Sequence, residues 1–145
     1  MIHHAGLTVR DLDRSVAFYR DALGLETVME VQERRGGYWG RIVGYPNVDV
    51  RFVHVALPGD DRRLELVEYR NPPSRDDAGE PRDVGVTHVC FLVDDVASVA
   101  ERARRAGAEL YSDPVEVTEG PNAGGLGLYL RDPDGITVEI FQAPR

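Results

Sequence analysis

The chain reads as α+β, two βαβββ modules in one domain over residues 1–145, and three observations lead there. His4-Ala5-Gly6-Leu7-Thr8-Val9-Arg10-Asp11-Leu12 aligns with His88-Val89-Cys90-Phe91-Leu92-Val93-Asp94-Asp95-Val96, so twice a histidine heads an apolar run and an aspartate precedes a helix. Later in each copy, Leu64-Glu65-Leu66 matches Val138-Glu139-Ile140, with a turn upstream in Pro58-Gly59-Asp60-Asp61 and in Asp132-Pro133-Asp134-Gly135. Finally, 145 residues suffice for one sizeable core, and a period this long in only two copies marks duplication of a supersecondary unit, since a solenoid needs about three stacked repeats.

The elements follow in order. A strand is expected over Ile2–Val9, then a helix from Leu12 to Leu23 with Asp11 as N-cap, Val16, Tyr19 and Leu23 at helical spacing, and Gly24 as C-cap. Strands are expected at Glu26–Glu33, Val48–Leu57 and Arg63–Tyr69, the last two joined as a hairpin across Pro58–Asp61. The glycine-rich stretch Arg34–Asn47 reads as a loop with part of a strand. The first module therefore covers residues 1–69, and Arg70–Asp83, with Pro72, Pro73 and Pro81 among charges, reads as an exposed linker within residues 70–84. The second module, 85–145, repeats the order with a strand at Val86–Val93, a helix at Val96–Ala106 ended by Gly107, and strands at Glu109–Val117, Leu126–Leu130 and Ile136–Phe141. Glu119–Gly125 reads as a loop.

Composition narrows the function. With 42% hydrophobic and 29% charged residues the chain is an ordinary globular protein. A formal net charge of -8 argues against nucleic acid as the partner, since phosphate binding wants a basic surface. No apolar run approaches the roughly 20 residues that span a bilayer, and no basic stretch precedes an apolar leader, so a cytoplasmic protein is expected. The lone Cys90 has no internal disulfide partner and is read as a small core residue.

Strand parity points to a site, because side chains alternate faces along a strand. Ile136, Val138 and Ile140 form one aliphatic row, with Thr137, Glu139 and Phe141 opposite. In the same way His88 and Cys90 lie opposite Val89, Phe91 and Val93, His4 lies opposite Ala5, Leu7 and Val9, and Glu65 lies between Leu64 and Leu66. Each such residue alone is ordinary sheet surface. Jointly, His4, Glu65, His88 and Glu139 occupy equivalent repeat positions with consistent parity, and two imidazoles with two carboxylates suit a borderline divalent cation. His3 has the opposite parity and is not read as a ligand; His54, alone in an apolar strand, is read as core or cavity lining. Tyr129 and Arg131 share a parity and are candidates to orient a substrate oxygen or anion, with plain sheet surface the competing reading.

The residues resemble those of the vicinal oxygen chelate superfamily, which includes glyoxalase I, methylmalonyl-CoA epimerase, extradiol dioxygenases and the fosfomycin and bleomycin resistance proteins. The resemblance rests on His4 through Ser15 running into Phe18-Tyr19-Arg20-Asp21-Ala22-Leu23-Gly24-Leu25, on Gly85 through Asp95, and on Asp132 through Glu139. It implies paired βαβββ modules whose mixed sheet curls into an open cup around a divalent metal ion (Ni, Zn, Co, Mn or Fe). It implies His4, Glu65, His88 and Glu139 as ligands, Glu139 as catalytic base with Glu65 as the opposing acid or base, and a homodimer whose sites are built across the interface. The complete His-Glu-His-Glu set is similar to that of bacterial glyoxalase I, and implies a lyase or isomerase that stabilises an enediolate on a small oxygenated substrate. Drug-sequestering relatives generally lack such a set. Methylmalonyl-CoA epimerases usually carry glutamine at the position of Glu65 and a further glutamate that is missing around Tyr45-Pro46-Asn47-Val48-Asp49. Compact glyoxalase I differs at Arg34–Asn47 and Arg70–Asp83, and no basic cluster for glutathione stands out. An iron-dependent extradiol dioxygenase would leave Glu65 a bystander. An epimerase, a dioxygenase and a non-catalytic binder of a toxic small molecule therefore remain as alternatives.

Overall fold

A computed structural model describes residues 2–75 and 78–145. Asp76 and Asp77 of the expected linker, and Met1, lie outside the described residues. The chain divides into two compact units, Met1–Arg20 with Gly24–Asp76 and Asp21–Leu23 with Asp77–Arg145.

The first unit carries β1 (His4–Val9), α1 (Leu12–Leu23), β2 (Glu26–Thr27), β3 (Gln32–Arg35), α2 (Gly37–Val43), β4 (Asp49–Ala56) and β5 (Arg63–Asn71). The start of α1 is fixed by Asp11, whose side chain accepts from the Arg14 N–H, and its end by Gly24 at φ 76, a left-handed conformation that suits glycine. Its sheet runs β1-β5-β4-β2 with β3 also on β4. β1 and β5 are parallel, and the other pairings are antiparallel. Leu7, Val53, Val55, Leu64 and Leu66 are buried on one face. On that same face Glu68 accepts from the Leu12 N–H at 3.0 Å, which ties the first turn of α1 to β5.

The second unit carries β6 (Val89–Leu92), α3 (Val96–Arg105), β7 (Glu109–Leu110), β8 (Val115–Glu116), β9 (Leu126–Arg131) and β10 (Thr137–Gln142). Its order, β6-β10-β9-β7 with β8 on β9, repeats that of the first, again with one parallel pair, β6 and β10. Asp95 caps α3 as Asp11 caps α1, by accepting from the Ser98 N–H. Val96, Val99, Ala100 and Ala103 fall on one helical stripe and are buried, as are Leu128, Leu130, Val138 and Ile140 of the sheet. Arg102, Arg104 and Arg105 sit in the last turn, where cations complement the helix dipole.

Several expectations need correction. Within Arg34–Asn47 the chain forms α2 rather than a loop, closed by Gly44 at φ 78; counting glycines hid a helix that packing, not propensity, maintains. Trp39 and Val43, one turn apart, pack against the buried cluster of Val48, Val50, Phe52 and Val67. The strand expected at Glu26–Glu33 is divided into β2 and β3, and that at Glu109–Val117 into β7 and β8, the second break containing Pro114. Cys90 is exposed rather than a core residue, because it shares the face of His88 and not that of the aliphatic row. Among the described residues no helix is long and apolar enough to cross a membrane.

Candidate functional site

In the first unit, register brings the expected residues together. Gly6 of β1 lies beside Glu65 of β5, and His4 heads the same face of β1. The His4 Nε2 and Glu65 Oε2 atoms are 3.5 Å apart, with the carboxylate only 13% exposed. Gly6 leaves room above that oxygen: a Cβ there would stand 3.8 Å from Glu65 Oε2. Two neighbours of this pair were not expected. His54, directly across from Glu65 in the β4–β5 ladder, places Nε2 3.2 Å from Glu65 Oε1. His3 places Nδ1 2.8 Å from His4 Nδ1. The signal for His54 was present in the hairpin, since pairing outward from the Leu57–Arg62 turn sets residue 54 against residue 65.

The same sheet face continues as an apolar floor. Phe52 and Val67 pair across the ladder next to His54 and Glu65, and Trp39 from α2 stacks on Phe52 with ring centroids 4.8 Å apart and planes at 17°. Burial raises the Tyr69 hydroxyl pKa, with smaller contributions from Tyr45 and Glu65.

In the second unit His88 Nε2 lies 3.1 Å from Glu139 Oε2. Here the cross-strand neighbour of the glutamate is Tyr129, and its hydroxyl reaches the histidine instead, at 3.2 Å from the same Nε2. With its hydrogen on Nε2 the ring offers one donor for which the carboxylate and the hydroxyl compete; with the lone pair there, only the hydroxyl can bond to it. Burial, then the Glu139 charge, then Cys90 push the Tyr129 hydroxyl up. Cys90 pairs with Glu139 across β6 and β10. Desolvation first, and the Glu139 carboxylate next, push its thiol up to about 11. Arg131 is engaged: its guanidinium donates to the Tyr111 hydroxyl at 2.8 Å and pairs with Glu80 at 2.7 Å. The hydrogen bond to Tyr111 and then that to Glu80 raise its pKa.

The donor chemistry can be tested against a metal ion. Two ligand atoms each about 2.1 Å from one ion are about 3.0 Å apart at a right angle and about 3.4 Å apart at the tetrahedral angle. The observed separations of 3.5 Å for His4 with Glu65 and 3.1 Å for His88 with Glu139 fit two donors to one ion, and equally a direct contact between imidazole and carboxylate. Each unit thus supplies one imidazole and one carboxylate. Among the described residues no group of three or more His, Cys, Asp or Glu side chains is arranged to hold an ion.

Comparison with known proteins identifies the family. The model of the Glyoxalase/Bleomycin resistance protein/Dioxygenase superfamily matches residues 1–140. A 2-epi-5-epi-valiolone epimerase of Actinomyces sp is 31% identical over 145 residues, 99% of this chain and 79% of the relative. The lactoylglutathione lyase of Salmonella typhimurium is 27% identical over 97% of this chain and 90% of its own length. Among solved structures, a glyoxalase family protein from Bacillus cereus superimposes with a TM-score of 0.85 at 24% identity, over 99% of this chain and 94% of that one, a likeness of fold. With the duplicated sheet, the paired histidines and glutamates and a family match over nearly its whole length, the chain belongs to the Glyoxalase/Bleomycin resistance protein/Dioxygenase superfamily.

Proposed function

We propose that the protein is a divalent-metal-dependent enzyme that removes and returns a proton at a carbon beside a carbonyl of a small oxygenated substrate, as an epimerase or glyoxalase-like isomerase. His4, Glu65, His88 and Glu139 form the ligand set. The observation that carries this reading is the duplicated His–Glu contact, 3.5 Å in one repeat and 3.1 Å in the other. When bound, the ion supplies Lewis-acid stabilisation of the negative charge that develops on the substrate oxygen.

The chain's own residues do the rest. Glu139 takes the proton: it is 26% exposed at the side chain, so a substrate can reach it, and a carboxylate within hydrogen-bond reach is competent for that transfer. Glu65 is the second acid–base group, held in the more enclosed half. Tyr129, already within 3.2 Å of His88 Nε2, donates its hydroxyl to a substrate oxygen and so orients the carbonyl. The Phe52, Val67 and Trp39 floor excludes water from the side of Glu65. The epimerase form is favoured over the lactoylglutathione lyase form by 31% identity over 99% of the chain against 27% over 97%. In this reading the protein works in the cytoplasm as a homodimer.

The test is solvent isotope exchange. The metal-loaded protein, incubated in D2O with a panel of small ketones and acyl thioesters, is expected to place deuterium on the carbon beside the carbonyl of its substrate. Glu139→Gln should slow that exchange by about 100-fold or more. Exchange that proceeds unchanged in Glu139→Gln contradicts the role of Glu139, and exchange unaffected by chelator contradicts the metal.

A further inference from the structure

The two half-sites are equivalent in ligands but not in what supports them. In the second unit the residue across from the glutamate, Tyr129, contacts the histidine. In the first unit the residue across from the glutamate, His54, contacts the glutamate itself, through Oε1, while Oε2 is the oxygen turned toward His4. His54 is 8% exposed, and its other ring nitrogen, Nδ1, is buried without a hydrogen-bond partner.

We infer that His54 is a positioning residue for Glu65: its Nε2–H donates to Oε1 and presents Oε2 to the cation shared with His4. The inference rests on the ligand set proposed above. A carboxylate oxygen only accepts, so the hydrogen in the His54–Glu65 contact belongs to Nε2. The ring then carries its lone pair on Nδ1, and a proton there would be a buried N–H with no acceptor, which is costly. The tautomer is set by the surroundings, and with it the direction of the hydrogen bond. Burial adds to the effect. The two side chains are 11% and 13% exposed, so little water competes for Oε1. The fixed cross-strand pairing of His54 with Glu65 keeps both backbones in register. A carboxylate held by one oxygen has its other oxygen preoriented, and loss of such an outer partner weakens metal binding by about 10–100-fold.

Glu139 has no imidazole across from it: Tyr129 on β9 is turned to His88, and its neighbour on β6 is the Cys90 thiol, a weak donor. The duplicated carboxylates thus have different supports, a buried imidazole donor for Glu65 and a thiol for Glu139. A residue first read as cavity lining thereby becomes part of the site.

The experiment is Co2+ affinity, measured by competition with a chromophoric chelator on the full chain, for wild type, His54→Phe, His54→Gln and Glu65→Gln. His54→Phe keeps a ring and removes the donor, and is expected to weaken Co2+ binding by about 10–100-fold. His54→Gln returns an N–H at similar reach and should restore most of that loss, which a purely space-filling role would not produce. Equal Co2+ affinity in wild type and His54→Phe overturns the role of His54 while leaving the ligand set standing if Glu65→Gln weakens binding. Wild-type protein that takes up no Co2+ overturns the ligand set as well. Should His54→Phe fail to fold, long-range 15N–1H correlation on the wild-type protein still decides: the Nε2–H tautomer is expected for His54, and the Nδ1–H tautomer overturns the inference.

Discussion

Replacing Gly40 by alanine should destabilise the protein, although alanine is the better helix former. Gly40 lies within α2, and at an unencumbered helical position the exchange is worth about 1 kcal/mol in favour of alanine. Here a Cβ would stand 2.8 Å from the Tyr45 carbonyl oxygen and 3.0 Å from that of Pro46. Both are backbone atoms in the turn that returns α2 to β4, so neither can swing aside as a flexible side chain would. Overpacking of this kind costs about 1–3 kcal/mol. Subtracting the propensity gain leaves a net loss of about 0–2 kcal/mol. Urea unfolding measures it directly. Trp39, the sole tryptophan of the chain, lies in the same helix and stacks on Phe52, so its emission should shift to the red as α2 lifts from the sheet face. A stabilisation of about 1 kcal/mol with unchanged emission would refute the reasoning, because it would mean that α2 is not pressed against the turn.

Other outcomes follow from the same geometry. Asp95→Ala removes the side chain that accepts from the Ser98 N–H and should cost about 1 kcal/mol in urea unfolding. Ile140→Ala empties a position that is 0% exposed beside Glu139 and should cost about 2–5 kcal/mol by the same assay. In the metal-free protein the Cys90 thiol, pushed up to about 11, should react with iodoacetamide at pH 8 about 100-fold more slowly than an ordinary thiol of pKa near 8.5. Raising the pH toward 11 populates the thiolate and should bring the rate up steadily; a rate already at its plateau at pH 8 contradicts the environment described for it. A divalent ion at a hundred times its Kd should add about 2.7 kcal/mol of stability, lost again on adding chelator. Calorimetric scans that do not move between the two conditions contradict a metal bound to the folded state.

The duplication was legible because repeat, parity and capping agree. Asp11 and Asp95 announce their helices, and both are the observed N-caps. The pairs His4 with Glu65 and His88 with Glu139 were legible because strand alternation fixes a face, and residues on one face of adjacent strands meet. Three things were hidden for physical reasons. α2 is rich in glycine and owes its form to Trp39 and Val43 seating on Phe52 and its neighbours, a tertiary effect without a local signal. His54 looked like one more residue of an apolar strand, since alternation weakens where both faces of β4 are covered. Arg131 shares a face with Tyr129, but the sequence does not show that Tyr111 and Glu80 already hold it.

The central proposal is that His4, Glu65, His88 and Glu139 serve as protein ligands of a divalent ion. An anomalous difference map at the cobalt edge, from crystals grown with Co2+, tests it most directly. A single strong peak is expected within about 2.0–2.2 Å of imidazole nitrogens from His4 and His88 and of carboxylate oxygens from Glu65 and Glu139. A map with no such peak, or with the cobalt on other side chains while Glu65 and Glu139 stand apart from it, contradicts the claim.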